Sequence, residues 1–174
     1  IHPLLSDRFV ISLGGYYADQ EGSYRYDGEN IGTVVDFDSD LGIGDSEWSP
    51  SLQLHWRFSE KSQLQLEYFS ISKDNSINAS RAFTVDDKTF NLGASLNIND
   101  DMDILRLFYG YNFIKNETSE IGAGVGLHYG AIDLSVTGDA LVNAVPVISA
   151  TATLDDWAIL PNIGFYAAYA FNEK

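Results

Sequence analysis

Cysteine is absent from the 174 residues, so no disulfide framework or thiolate metal site can exist. Basic side chains are scarce: 10 Lys and Arg stand against 25 Asp and Glu, a formal net charge of −15. That balance argues against DNA, RNA or an anionic surface as the main partner, because each would repel the chain. Long apolar runs are missing too. Although 45% of the residues are hydrophobic, no run approaches the roughly 20 that a membrane-spanning helix needs. The opening "IHPLLSDRF" has no basic stretch followed by an apolar one, as expected of a mature or a cytosolic chain. Apolar residues at helical spacing are also hard to find. The length is most simply one domain, residues 1–174.

What is present is period-two alternation. In "PSLQLHWRF", Leu52, Leu54, Trp56 and Phe58 share one face and Ser51, Gln53, His55 and Arg57 the other. "RFVISLGGYYA", "SQLQLEY", "DILRLFYGYNF", "IGAGVGLHYG" and "NIGFYAAYAF" repeat the pattern, giving six strands with one apolar face each. A soluble sandwich or a lipocalin-like barrel would bury that face; a membrane barrel would turn it to lipid. Two features favour the membrane. The connections 59–62 and 114–120 are short, whereas 19–49, 73–93 and 136–157 read as long polar loops, the rim asymmetry of an outer-membrane barrel. Aromatics also gather at two levels. Phe9, Trp56, Phe58, Tyr111, Phe113, Tyr169 and Phe171 lie at the short-turn rim, and Tyr17, Tyr68, Tyr129 and Trp157 near the opposite one. Paired aromatic girdles are what two membrane–water interfaces select.

The stretches "PSLQLHWRFSEKSQLQLEYFSI", "LRLFYGYNFIKNETSEIGAGVGLH" and "LPNIGFYAAYAF" resemble a family of small Gram-negative outer-membrane β-barrel proteins, related in kind to the barrels of OmpA-like and OmpW-like proteins. The resemblance implies an all-β, antiparallel up-and-down transmembrane barrel of eight strands. It places the short turns in the periplasm and the long loops outside the cell, among outer-membrane lipid and lipopolysaccharide. Only six spanning strands are plain in the sequence. "FNEK" at the end copies "FSEK" at 58–61, a turn followed at once by a strand, so a final hairpin is expected beyond it. The rival account makes "GTVVDFDSD" and "TFNLGASLN" the missing spanning strands.

The stretch "DFDSDLGIGDSE" places Asp36, Asp38, Asp40 and Glu47 at EF-hand loop positions 1, 3, 5 and 12. Leu41 occupies the position that needs glycine, so the four are expected to hold divalent cations weakly, within an acidic extracellular apron. His55, Arg57, Gln65, Glu67, Arg106 and His128 project from polar faces and are expected to form a paired lumen network, with Arg57 facing Glu67 across the ladder. Glycines 122, 124, 126 and 130 either admit large neighbours such as Phe108 and Tyr166 or leave a groove. No serine stands at a telling distance from either histidine, so no catalytic residue and no cofactor is expected. The reading is a non-enzymatic barrel with a structural, surface-contact or narrow-passage role. A lipid-modifying barrel enzyme and a soluble ligand-binding barrel are its competitors.

Overall fold

The computed structural model describes residues 3–18 and 21–171. One helical turn, α1 (Pro3–Ser6), precedes the strands β1 (Phe9–Ala18), β2 (Ser23–Tyr24), β3 (Val35–Asp36), β4 (Glu47–Arg57) and β5 (Ser62–Asn78). They are followed by β6 (Phe83–Val85), β7 (Lys88–Phe90), β8 (Ser95–Lys115), β9 (Ser119–Val142) and β10 (Val145–Tyr169). The chain is all-β, and its strands pair antiparallel. Six long strands form an up-and-down meander in the order β1-β4-β5-β8-β9-β10. The sheet is open. Among the described residues, β1 pairs only with β4, and β10 only with β9.

Neither of the two segments of the rival account forms a long strand. "GTVVDFDSD" contributes the two-residue β3 and a turn. "TFNLGASLN" is broken between β7 and β8 by a turn in which Gly93 takes a φ of 80°.

The loops expected at 73–93 and 136–157 are instead mostly strand. β5 runs on to Asn78, and β9 and β10 continue as one hairpin past the apolar belt. Asn143 and Ala144, at φ 50° and 64°, close that hairpin in two residues, the left-handed pair that matches the twist of flanking strands. Asp86 and Asp87, at φ 48° and 56°, do the same between β6 and β7. The β-branched residues Val136, Thr137, Val147, Thr151 and Thr153 suit the pleat better than a loop. The rim asymmetry is therefore one of strand length. At the short-turn end, Ser59 Oγ accepts from the Ser62 amide at 2.9 Å, and Asn116 Oδ1 accepts from Ser119 at 2.8 Å, which fixes the two turns.

Register aligns the side chains in rows across the sheet. On the outer face, Phe9, Trp56, Leu64, Tyr109, Val125 and Ile163 form one row. The next is Ile11, Leu54, Leu66, Leu107, Leu127 and Pro161, and the third is Leu13, Leu52, Tyr68, Leu105, Tyr129 and Ile159. These residues are largely exposed: Leu13 by 83%, Val125 by 58% and Ile163 by 80%. Two rows further from the short turns, the same face carries Ser72, Asp101, Asp133 and Asp155, then Asp74, Asn99, Ser135 and Thr153.

The inner face changes in the opposite sense. Near the short turns its rows are mostly polar or glycine, with Phe108 and Leu160 as the apolar members: Gln65, Phe108, Gly126 and Asn162, then Glu67, Arg106, His128 and Leu160. Further up they become Asn75, Ile98, Val136 and Ala152, then Ile77, Leu96, Gly138 and Ala150. There Val35, Phe37, Leu41 and Ile43 from the 33–46 segment, with Phe83, Val85 and Phe90, cover Leu96, Ile98, Leu134, Val136 and Leu154. This is the one buried apolar cluster among the described residues. Burial of a side chain such as Phe90 stabilises by about 1.5–3 kcal/mol.

Candidate functional site

The inner face of the lower, short-turn half is held by two hydrogen-bonded clusters. Nearer the middle, Glu67 accepts from Arg106 Nη1 at 2.8 Å, from Gln53 Nε2 at 2.8 Å and from the Tyr16 hydroxyl. Arg106 Nε in turn donates to His128 Nε2 at 2.9 Å. β4, β5, β8 and β9 thus each supply one group to a single chain of contacts. A cleft of about 370 Å³ opens over it, lined by Gln65, Glu67, Arg106, His128, Asn162 and Tyr166 among others.

At the short-turn end, Arg57 pairs with Glu120 at 3.3 Å, and their side chains keep only 8% and 2% of their surface exposed. Asn112 Nδ2 donates to the other Glu120 oxygen at 2.9 Å, and Tyr166 donates to Asn112 Oδ1 at 2.6 Å. Arg57 Nη1 also donates to the Asp7 carbonyl at 3.0 Å, tying the N-terminal segment beneath the sheet. His55 Nε2 lies 2.6 Å from Gln63 Oε1.

The six residues named from the sequence all lie on this face, but in two groups and with different partners. Arg57 does not face Glu67. The turn at 58–61 sets Arg57 opposite Gln63 and Glu67 opposite Gln53, so the two charges sit four rungs apart. Each finds its counter-charge on a later strand, Glu120 for Arg57 and Arg106 for Glu67. Glu120 falls in the stretch that reads as the turn 114–120, and Gln63, Asn112 and Tyr166, although on the expected strands, are not expected in the network. Glycines 122, 124 and 126 admit bulk, whereas Gly130 has open space where a Cβ would sit. A Cβ on Gly124 would lie 2.6 Å from the Phe108 ring, and one on Gly110 would lie 2.8 Å from the Tyr166 hydroxyl. The two rings meet edge to face with centroids 6.1 Å apart.

The four acids of the candidate cation loop are not gathered as ligands. Asp36 is occupied locally, its Oδ1 accepting from the Ser39 amide at 2.8 Å, which holds its carboxyl below the usual range. Asp40 is buried, paired with Arg81, and accepts from the Asp36 amide at 2.8 Å. The Arg81 guanidinium is the main reason that the Asp40 carboxyl is held low. Asp38 donates its amide to Asp36 Oδ1, and Glu47 opens β4. Among the described residues, no group of three or more potential ligands could hold a metal ion. The expected apron is also less polar than its composition, since half of its turn folds inward as Phe37, Leu41 and Ile43. Asp87 cross-braces this region, its carboxylate accepting from the Glu29 amide at 2.6 Å and the Asn30 amide at 2.9 Å, bonds that hold its carboxyl low.

No protein-family model, curated protein or solved structure matches the chain. Its chemistry rests on its own geometry: charges on the inner face matched to each other, and an uncovered apolar band on the outer face.

Proposed function

We propose that the chain is the wall of an integral outer-membrane β-barrel with a structural or surface-contact role. The observation that carries this reading is the double reversal of polarity along the sheet. In the lower half the outer face is apolar and the inner face polar; in the upper half each is the opposite. A soluble sheet keeps one face dry along its whole length, whereas a sheet leaving a bilayer must change sign at the interface. The dry outer band runs from Ile121 to Tyr129 on β9, or to Ala131 beside Trp157. Nine to eleven residues climb roughly 27–34 Å along a strand and about 21–26 Å along the normal at a tilt near 40°, close to the ~25 Å band of such barrels. Tyr68, Tyr129 and Trp157 mark its upper edge and Phe9, Trp56, Phe113 and Tyr169 its lower.

Open edges in lipid leave backbone groups unpaired at several kcal/mol each. The reading therefore requires further strands between β10 and β1, with eight the smallest count for single-chain barrels. The extracellular mouth is filled by the apolar cap, which favours a contact role over a passage. The protein should need detergent to stay dispersed and should shift its gel mobility on boiling. In a planar bilayer it should show no steady porin-scale conductance. Free solubility with the outer rows protected from a surface probe would end the membrane reading, and a large stable conductance would end the filled-lumen part of it.

A further inference from the structure

We propose that the cleft at the short-turn end is a binding site for a phosphate group. Its volume is about 540 Å³, and it is bounded by Leu5, Arg8, Arg57, Ser59, Lys61 and Lys115 together with Glu60, Asn116 and Glu117. Four of the chain's ten Lys and Arg residues meet there, in a protein of net charge −15. They come from three separate places: the segment before β1, the end of β4 with the turn that follows it, and the end of β8.

Arg57 is the buried cation of the set: it is 8% exposed, with Nη1 on the Asp7 carbonyl and Nη2 on Glu120, and its buried Nε has no hydrogen-bond partner. Arg8 and Lys61 are exposed and supply the positive charge that an anion entering the cleft would meet. Glu120 already serves Arg57 and, at 4.0 Å, Lys115. Among the residues that bound the cleft, four positive charges stand against Glu60 and Glu117, an excess of two, 4 − 2. That suits an anion of one or two negative charges, a phosphate diester or inorganic phosphate. Several donors arriving from different elements suit its spread of oxygens better than a planar carboxylate, which prefers one bidentate fork. Leu5, 2% exposed, forms a dry wall beside the charges, and the rim aromatics Trp56 and Phe58 stand next to the same turn.

The phosphate can come from a lipid headgroup or from a free anion, and two arms of one experiment separate these. The full chain, folded in a non-ionic detergent, is titrated in a calorimeter with inorganic phosphate and, separately, with a short-chain phosphatidylglycerol. The comparison protein carries Arg8→Gln and Lys61→Gln, two exposed side chains whose loss leaves the Arg57–Glu120 pair intact. We expect saturable one-to-one binding, weakened at least about tenfold in the double variant by loss of two charge-assisted contacts. Binding of both probes identifies the phosphate itself as sufficient; binding of the lipid alone identifies a headgroup. Absence of saturable binding by either probe, or equal binding by the double variant, overturns the proposal. The inorganic arm needs no bilayer, so its outcome is independent of the heat-shift test of membrane embedding.

Discussion

The two halves of the sheet share four strands, β5, β8, β9 and β10, and the same alternation, yet they solve opposite problems. The upper half hides Leu96, Ile98, Val136 and Leu154 beneath Phe37, Phe83 and Phe90, and shows Ser, Thr, Asn and Asp outside. The lower half ties Glu67, Arg106, Glu120 and Arg57 together inside and leaves Leu13, Val125 and Ile163 uncovered. Period two says where side chains point; it does not say which side is wet. That second fact is carried by which face accumulates charge, and here the answer changes along β5, β8, β9 and β10.

The sharpest way to test the contrast is to cut an aromatic ring from each half. Phe90 is fully buried, and Phe90→Ala should cost about 3–5 kcal/mol in urea unfolding of the detergent-folded protein. Phe165 is 84% exposed on the outer belt, and Phe165→Ala should change stability by no more than about 0.5 kcal/mol. Equal costs would mean that the belt is packed against protein. A charge inverts the ranking. Leu127→Arg in the second quarter of β9 should cost about 2–4 kcal/mol in bilayers, the penalty of a cation facing lipid near mid-depth. Thr137→Arg, ten residues along the same strand and on the same face, should stay within about 0.5 kcal/mol. Two small effects would remove the distinction between the halves.

Acid should separate them further. Asp40 is held below its ordinary pKa by Arg81, so its contribution is complete above about 3.9 and is lost as pH falls through the lower folded value. Below about pH 4, the Ile43 amide, bonded to the Phe37 carbonyl at 2.9 Å, should exchange faster, while amides in the β8–β9 ladder of the lower half stay protected. Arg81→Gln should move that loosening to higher pH. Parallel loss in both halves would show that the cap has no stability of its own. The smallest effect concerns the tip of the long hairpin. Ala144 sits at φ 64°, and Ala144→Gly should stabilise by about 0.5–1 kcal/mol by relieving a left-handed alanine.

Much of the frame was legible. All six long strands, the outward aliphatic rows and both short turns follow from alternation and turn chemistry around Ser59 and Asn116. The long upper hairpin was not, because Asn143–Ala144 lacks the glycine that usually marks a two-residue turn. Nor was the cap, whose strands are two or three residues long and reveal no period. The Arg57 partner was misassigned although the arithmetic was available. A tight turn at 58–61 makes paired residue numbers sum to 120, which sends Arg57 to Gln63. Its true partner Glu120 comes from 63 residues away, a separation that only the fold can close.

The cap also bears on how such a wall would be assembled. Its core draws on the 33–46 segment, both arms of the β6–β7 hairpin and the far ends of β8, β9 and β10. None of these pieces has its apolar neighbours until all have arrived on the same side. If the sheet is a membrane wall, the far ends, with their serines, threonines and aspartates, would cross as extended chain before the cap condenses. Phe37, Phe83 and Phe90 would collapse together only afterwards, and withdrawal would require that core to be taken apart first. In such a wall the cap would act as a latch on the direction of threading.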